Sequence, residues 1–290
     1  MNLKDFNIIY FHVLFFSYFI GIEVDSLEIT PSGAKYGPFV DRSYIILNDN
    51  NLFLTQRVKP KLALIKTRIS GSKIILSADG LESISIDVND DLSNNEIIEF
   101  EIWKQSTSGV LCGEEINKWL SDFIGSPAKM VKFIDNMHPY HSAIVEMNGE
   151  IQKDPTLPMR YQDSDPIMLM NSASIDDLNT RLASKNIKTS HVNFRPNILA
   201  QLNKPYAEDH FKLWTIGDVT FKKAQECSRC TFPTVDPKTG VKNPELEPFT
   251  TLKTYRMFDG YETPILGVQL LPLQEGTIKV GDFVEERESQ

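Results

Sequence analysis

The sequence predicts a mainly β (α+β) fold with a few helices. Short apolar runs at strand spacing fill residues 24 to 105, and only two segments carry helical spacing. In addition, no Gly-rich phosphate loop follows a strand, so a doubly wound nucleotide fold is not expected.

The elements follow in chain order. From Phe6 to Ile22 the chain is almost wholly apolar, interrupted only by Asn7, His12 and Ser17. Its length, about 17 residues, is at the lower limit for a membrane span, and it lacks the small-residue cleavage site of a secretory signal. Three readings stand side by side: a membrane anchor, a buried first strand, and the product of an altered start. Tyr44–Leu47 and Leu62–Ile65 read as short buried strands. Ile69 and Ile74-Ile75-Leu76 flank a Ser70-Gly71-Ser72-Lys73 turn, which is a hairpin pattern. Ile84, Ile86 and Val88 alternate with polar residues, as do Ile98, Phe100 and Ile102, marking half-buried strands.

A helix is expected after Gly113, with Ile116, Trp119, Leu120 and Phe123 on one face and Gly125 at its end. Residues 135–165, polar and Pro-containing, are expected to be a long connection between two halves. A second helix carries Ile175, Leu178 and Leu182 as its stripe, with Ser174 as its cap and Asp176 and Asp177 in the first turn. The chain then returns to β with Leu266–Leu271 and Thr277–Val280 around a Gln274-Glu275-Gly276 turn.

Composition limits the partners. The 290 residues are 41% hydrophobic and 24% charged, with a net charge of −9 and scattered Lys and Arg. Nucleic acid is not expected, because backbone binding needs a basic face. A small anionic ligand needs only a few Arg residues and backbone N–H groups. Three cysteines, Cys112, Cys227 and Cys230, make no disulfide framework and fit a reducing compartment.

The chemistry gathers around Cys227-Ser228-Arg229-Cys230. A lone CxxC admits structural zinc, a redox pair or two buried thiols. Zinc would need two more ligands, and His138 and His141 lie far upstream. A thioredoxin-like pair should open a helix, whereas strand-like flanks surround this one. The fourth reading uses the neighbours: Arg229 favours a thiolate at Cys230, and thiolate is a soft metal ligand. Asn193-Phe194-Arg195-Pro196-Asn197 is a second constellation. Pro196 biases Arg195 to an extended conformation, so Arg195 and Asn197 should point to one side, either toward a phosphate or a pterin edge or as an exposed strand pair with no ligand. Asp163-Ser164-Asp165-Pro166 is a polar turn entering the apolar run Ile167–Met170.

Together with Ile216–Val219, Val235–Gly240, Leu252–Arg256 and Gly276–Asp282, these segments resemble the MOSC-domain family in order and spacing. The likeness runs from about residue 21 to 286, and its nearest members are the mitochondrial amidoxime-reducing components. The C-terminal domain of molybdenum-cofactor sulfurases is similar. The resemblance implies an N-terminal MOSC β-barrel part, residues 21–140, and a MOSC β-barrel domain, residues 142–287, after an apolar segment, residues 1–20. It implies a molybdenum cofactor (Mo-molybdopterin) between the two parts. By position, Cys230 matches the metal ligand and Asp163 an acidic proton relay. Arg42, Ser164, Arg195, Asn197, Ser228 and Arg229 match cofactor-holding positions.

The implied activity is reduction of small N-hydroxylated substrates, amidoximes and hydroxylamines. Cytochrome b5 and NADH-cytochrome b5 reductase are the implied electron donors, and the outer mitochondrial membrane facing the cytosol the implied location. A cofactor carrier or sulfur-transfer protein is the alternative, although the sulfurases' upstream pyridoxal-phosphate domain does not fit this length. A cofactor-poor paralogue or a truncated chain is the third. Two departures from the family bear on cofactor binding, and the first motivates this third reading. Ser17 and Tyr18 stand where the family has a Lys-Ser pair, and Asp165 stands where it usually has Ser. The N-terminal segment fills the place of the family's first strand, which favours an altered start over an anchor.

Overall fold

The computed structural model describes residues 6–14, 16, 19–134, 141–147 and 150–287. The N-terminal elements are β1 (Asn7–Val13), β2 (Ile22–Val24), β3 (Ser26–Thr30), β4 (Gly33–Tyr36), β5 (Phe39–Val40) and β6 (Tyr44–Asn48). After them come β7 (Lys66–Ser70), β8 (Lys73–Ser77), β9 (Ile84–Asp87), β10 (Ile97–Ile102), β11 (Gln105–Leu111), α1 (Glu114–Ile124) and β12 (Ala128–Lys132). The C-terminal half holds β13 (His141–Met147), β14 (Glu150–Met159), β15 (Ile167–Asn171), α2 (Ser172–Leu182), α3 (His191–Phe194), β16 (Ile198–Gln201) and β17 (Leu213–Ile216). It closes with β18 (Val219–Ser228), α4 (Phe249–Lys253), β19 (Ile265–Pro272), β20 (Gly276–Lys279) and β21 (Val284–Arg287). The fold is mainly β, as the sequence predicts.

An eight-stranded sheet runs β2-β1-β16-β15-β19-β18-β17-β21. Thus the apolar N-terminal segment supplies a strand of the central sheet: Phe11 faces Ile198 of β16 on one side and Val24 of β2 on the other. Phe11, Val13 and Leu14 are buried, which is why this stretch is so apolar. Among the described residues no helix is long and apolar enough to cross a membrane. β15 is buried on both faces. Ile167 and Leu169 join the core shared with β1 and β3, while Met168 and Met170 pack with Ile175, Leu178 and Leu182 of α2. A second sheet, β10-β11-β12-β6, carries the predicted alternation, with Ile98, Phe100 and Ile102 inward.

Several local expectations are corrected. Leu62–Ile65 is no strand: Pro60–Leu64 forms a 3-10 helix, and Pro60 at its start suits a helical first position. The expected connection over 135–165 contains the β13–β14 hairpin; residues 135–140 and 148–149 lie outside the described set. Its prolines are tolerated because β14 has one partner and its register shifts between Ser142 and Ile144, opposite 154–157. Helix α2 is capped by Asn171, whose side chain accepts from the Ala173 amide, and Asp176 and Asp177 fall beyond the first turn. Ser174 is instead buried, donating to Glu208 and accepting from the Tyr206 amide. Helix α1 is as predicted, with Gly125 at φ +77 as its left-handed end.

His12 of β1 gives the fold a pH dependence. Its ring is buried beside His191, with ring centroids 4.9 Å apart, and its Nδ1 has no hydrogen-bond partner among the described residues. Burial first, and His191 second, lower its pKa from 6.5 to about 4. The fold therefore accommodates the neutral ring. As pH falls below 6.5 the unfolded chain takes a proton that the native ring refuses until about pH 4. Stability is expected to drop by about 2 kcal/mol between pH 7 and pH 5. Urea unfolding of wild type and His12→Phe at both pH values measures this; an equal slope in the variant would contradict it.

Candidate functional site

The sequence places a cavity of about 290 Å³ where the two halves meet, close to the lower end of the roughly 300–1,000 Å³ that small-molecule sites occupy. Arg42, Arg57 and Trp103 reach it from the N-terminal half; Asp163, Ser164, Asp165, Arg195 and the end of β18 reach it from the C-terminal half. Seven of the eight residues singled out from the sequence line it: Arg42, Asp163, Ser164, Arg195, Ser228, Arg229 and Cys230.

The eighth, Asn197, does not line the cavity. Its side chain is fully buried, accepting from the Met168 amide at 3.1 Å and from Arg42 at 3.3 Å, and donating to Asp41 at 3.0 Å. It ties the two halves together beneath the cavity floor. The expected extended pair is corrected accordingly. Ser190 and Asn193 form a capping box on α3, and Arg195 ends it in the left-handed conformation at φ +57. Arg195 and Asn197 then diverge: Arg195 turns to the cavity, over the Phe232 ring and onto the Phe16 carbonyl. Ser17 and Tyr18, at the Lys-Ser position, lie outside the described residues.

The two cysteines of the CxxC differ in kind. Cys227 is buried, accepts from Gln269 Nε2 at 3.2 Å, and burial pushes its thiol pKa up against the pull of Arg229. A buried thiol of this kind is a poor ligand at neutral pH. Cys230 is exposed, and its sulfur accepts from the Phe232 amide at 3.4 Å. Arg229 interacts with it through charge but makes no hydrogen bond to it among the described residues. The Arg229 guanidinium donates to the Leu266 and Phe194 carbonyls and lies against Met168 Sδ, so the direct hydrogen bond to Cys230 comes from backbone. The motif ends a strand and leads into a 3-10 turn, Phe232–Thr234, rather than opening a helix. Gly267 makes room for this arrangement: at φ +81, a Cβ there would meet the Leu169 carbonyl at 2.7 Å and Arg229 at 3.3 Å.

The donor set fits an anionic group that carries a soft metal. Arg229 is a buried cation whose hydrogen-bond partners are all neutral. Burial disfavours its charge, and an anion in the cavity would restore the balance. Gln269 Oε1 is buried on the same cavity with no hydrogen-bond partner among the described residues. No group of three or more His, Cys, Asp or Glu side chains converges among the described residues. Asp165 brings less bare charge than expected. Its carboxylate accepts from Gln225 at 2.7 Å and Ser164 at 3.0 Å.

Over residues 18–127 the chain matches the MOSC N-terminal beta barrel domain, and over 156–285 the MOSC domain. It is 33% identical over 271 residues to mitochondrial amidoxime-reducing component 1 of Homo sapiens, covering 91% of this chain and 78% of that protein. The chain belongs to the MOSC family. Component 1 of Mus musculus is 33% identical over 272 residues, covering 91% of this chain and 77% of that protein. Component 2 of Homo sapiens is 31% identical over 271 residues, covering 91% and 78%. In this MOSC protein the sequence motifs miss Arg57, Trp103, Gln225 and Gln269, all on the cavity. Arg57 stacks on Trp103, whose Nε1–H donates to Asp163 at 3.2 Å. The sequence trace of Trp103 is that the alternation of Ile98, Phe100 and Ile102 stops there.

Proposed function

We propose that this chain is a molybdenum-cofactor-dependent reductase of N-hydroxylated compounds such as amidoximes and hydroxylamines, with Cys230 as the protein ligand of the metal. One observation carries the reading. An exposed thiol stands at a cavity that also presents Arg42, Arg57, Arg195 and Arg229, in a chain similar to amidoxime-reducing components along 91% of its length. When bound, the cofactor supplies the two-electron chemistry that removes the N-hydroxyl oxygen.

The chain's own residues hold, orient and move a proton. Arg42, Arg195 and Arg229 would hold the cofactor's anionic groups, and the Ser164 and Ser228 hydroxyls would add hydrogen bonds to it. Asn197 keeps Arg42 in place from below. Asp163, fixed by Trp103, delivers the proton to the leaving oxygen. Cytochrome b5 and NADH-cytochrome b5 reductase supply the electrons in this reading, and the location is mitochondrial, at the outer membrane facing the cytosol.

Protein made in a cofactor-competent host should contain molybdenum near one per chain and should reduce benzamidoxime with a cytochrome b5 system. Molybdenum without reduction would favour a carrier. A metal-free protein from that host would sink the reading.

A further inference from the structure

Trp103 sits where a large aromatic residue is least expected. β10 and β11 are joined by two residues, Trp103 and Lys104, at φ +50 and +67. Left-handed values at both positions are those of a type I′ loop, where Asn and Gly are the low-strain choice. Strained left-handed residues gather at functional sites, and here Arg42, Trp103 and Arg195 all combine such a φ with a place on the cavity. Trp103 is 46% exposed. It contributes little to the core, so packing alone does not account for it.

The indole is nevertheless fixed. Arg57 lies 4.7 Å from the ring centroid, Phe53 meets it edge-on at 5.0 Å, and Asp163 accepts its N–H. Arg57 and Asp163 are themselves cavity residues, together with Cys230. A held, half-exposed indole therefore lines the cavity with Arg57 over one face and a carboxylate at its edge. Aromatic surfaces attract flat conjugated groups in stacked geometry. The carboxylate is an acceptor for the N–H groups that an amidoxime, and the strongly basic amidine formed from it, both carry.

We propose that Trp103 is a specificity-determining residue, the platform on which a flat, conjugated N-hydroxylated amidine stacks as it enters, with Asp163 receiving its N–H. The reacting group rests on the reductase reading above; the stacking does not. Small aliphatic substrates reach the cavity without using the indole. The site therefore ranks conjugated amidoximes above aliphatic ones, and Trp103 sets the margin.

The test compares holoenzyme as wild type, Trp103→Ala and Trp103→Phe, each normalised to its molybdenum content. Benzamidoxime and acetamidoxime are the two substrates. Trp103→Ala should lower the benzamidoxime-to-acetamidoxime ratio of kcat/KM by about three- to tenfold, through KM. Trp103→Phe keeps a ring but loses the bond to Asp163, and should retain most of the ratio. Binding is read separately from benzamidine, which is not turned over. It should quench the emission of the exposed indole in wild type, and that quenching should vanish in Trp103→Phe, since Trp119 and Trp214 are buried. An unchanged ratio in Trp103→Ala, or quenching that persists in Trp103→Phe, overturns the proposal. If benzamidine quenches Trp103 but wild type reduces no amidoxime, the platform stands and the reductase reading fails.

Discussion

Replacing Cys230 by serine is expected to abolish reduction while leaving the chain folded. The two halves of that expectation have separate causes. Cys230 is exposed, and its sulfur accepts from one backbone amide at 3.4 Å; a serine hydroxyl can accept the same bond. The melting temperature should therefore move by no more than about 2 °C, as for other exposed substitutions. Activity depends on the sulfur itself, because a hydroxyl is a poor substitute for a soft thiolate at a redox metal. Loss of groups that merely support metal ligands costs about 10–100-fold. Loss of the ligand should exceed about 100-fold in turnover. Cys227→Ser is the control: it alters a buried thiol held by Gln269 and should affect stability more than chemistry. Turnover in Cys230→Ser within tenfold of wild type would remove Cys230 from the role of ligand.

Much of the fold was legible because burial imposes a period. β10 alternates so cleanly that its inward face could be named residue by residue, and α1 shows its stripe and its glycine end. The misreadings share a cause, which is that local sequence does not say which competing local structure the surroundings will choose. Leu62–Ile65 is too short for periodicity to separate strand from 3-10 turn. The prolines of β14 argue against a strand until a register shift and a single neighbour accommodate them. Arg195 precedes a proline and should be extended, yet a one-turn helix ends on it.

The candidate site divides in the same way. Ser228, Arg229 and Cys230 were legible because three informative residues are adjacent. Arg57, Trp103 and Gln269 come from distant elements and meet only after folding. Asn197 is expected on the same side as Arg195, and the left-handed turn at Arg195 sends it inward instead.

That inward turn makes Asp41 the residue on which the joint between the halves depends. Its carboxylate is fully buried and has three partners: the Leu14 amide at 2.8 Å, Asn197 at 3.0 Å and Arg42 at 2.5 Å. Leu14 follows β1, Asn197 precedes β16, and Arg42 faces the cavity, so one side chain joins the sheet to the anion site. Asp41→Ala removes the acceptor of all three donors and leaves the mostly buried Arg42 cation without its carboxylate. Breaking a buried pair from one side costs about 3–5 kcal/mol. For a chain of this size that corresponds to a fall in melting temperature of roughly 6–20 °C. Asp41→Asn keeps an oxygen for the Leu14 amide and should recover part of the loss. Cofactor occupancy should fall in both variants, because Arg42 would no longer be held where it faces the ligand. Thermal unfolding and molybdenum content read the two effects independently. An Asp41→Ala protein within about 1 kcal/mol of wild type would mean that the joint is held elsewhere, with Asp41 an incidental neighbour of Arg42.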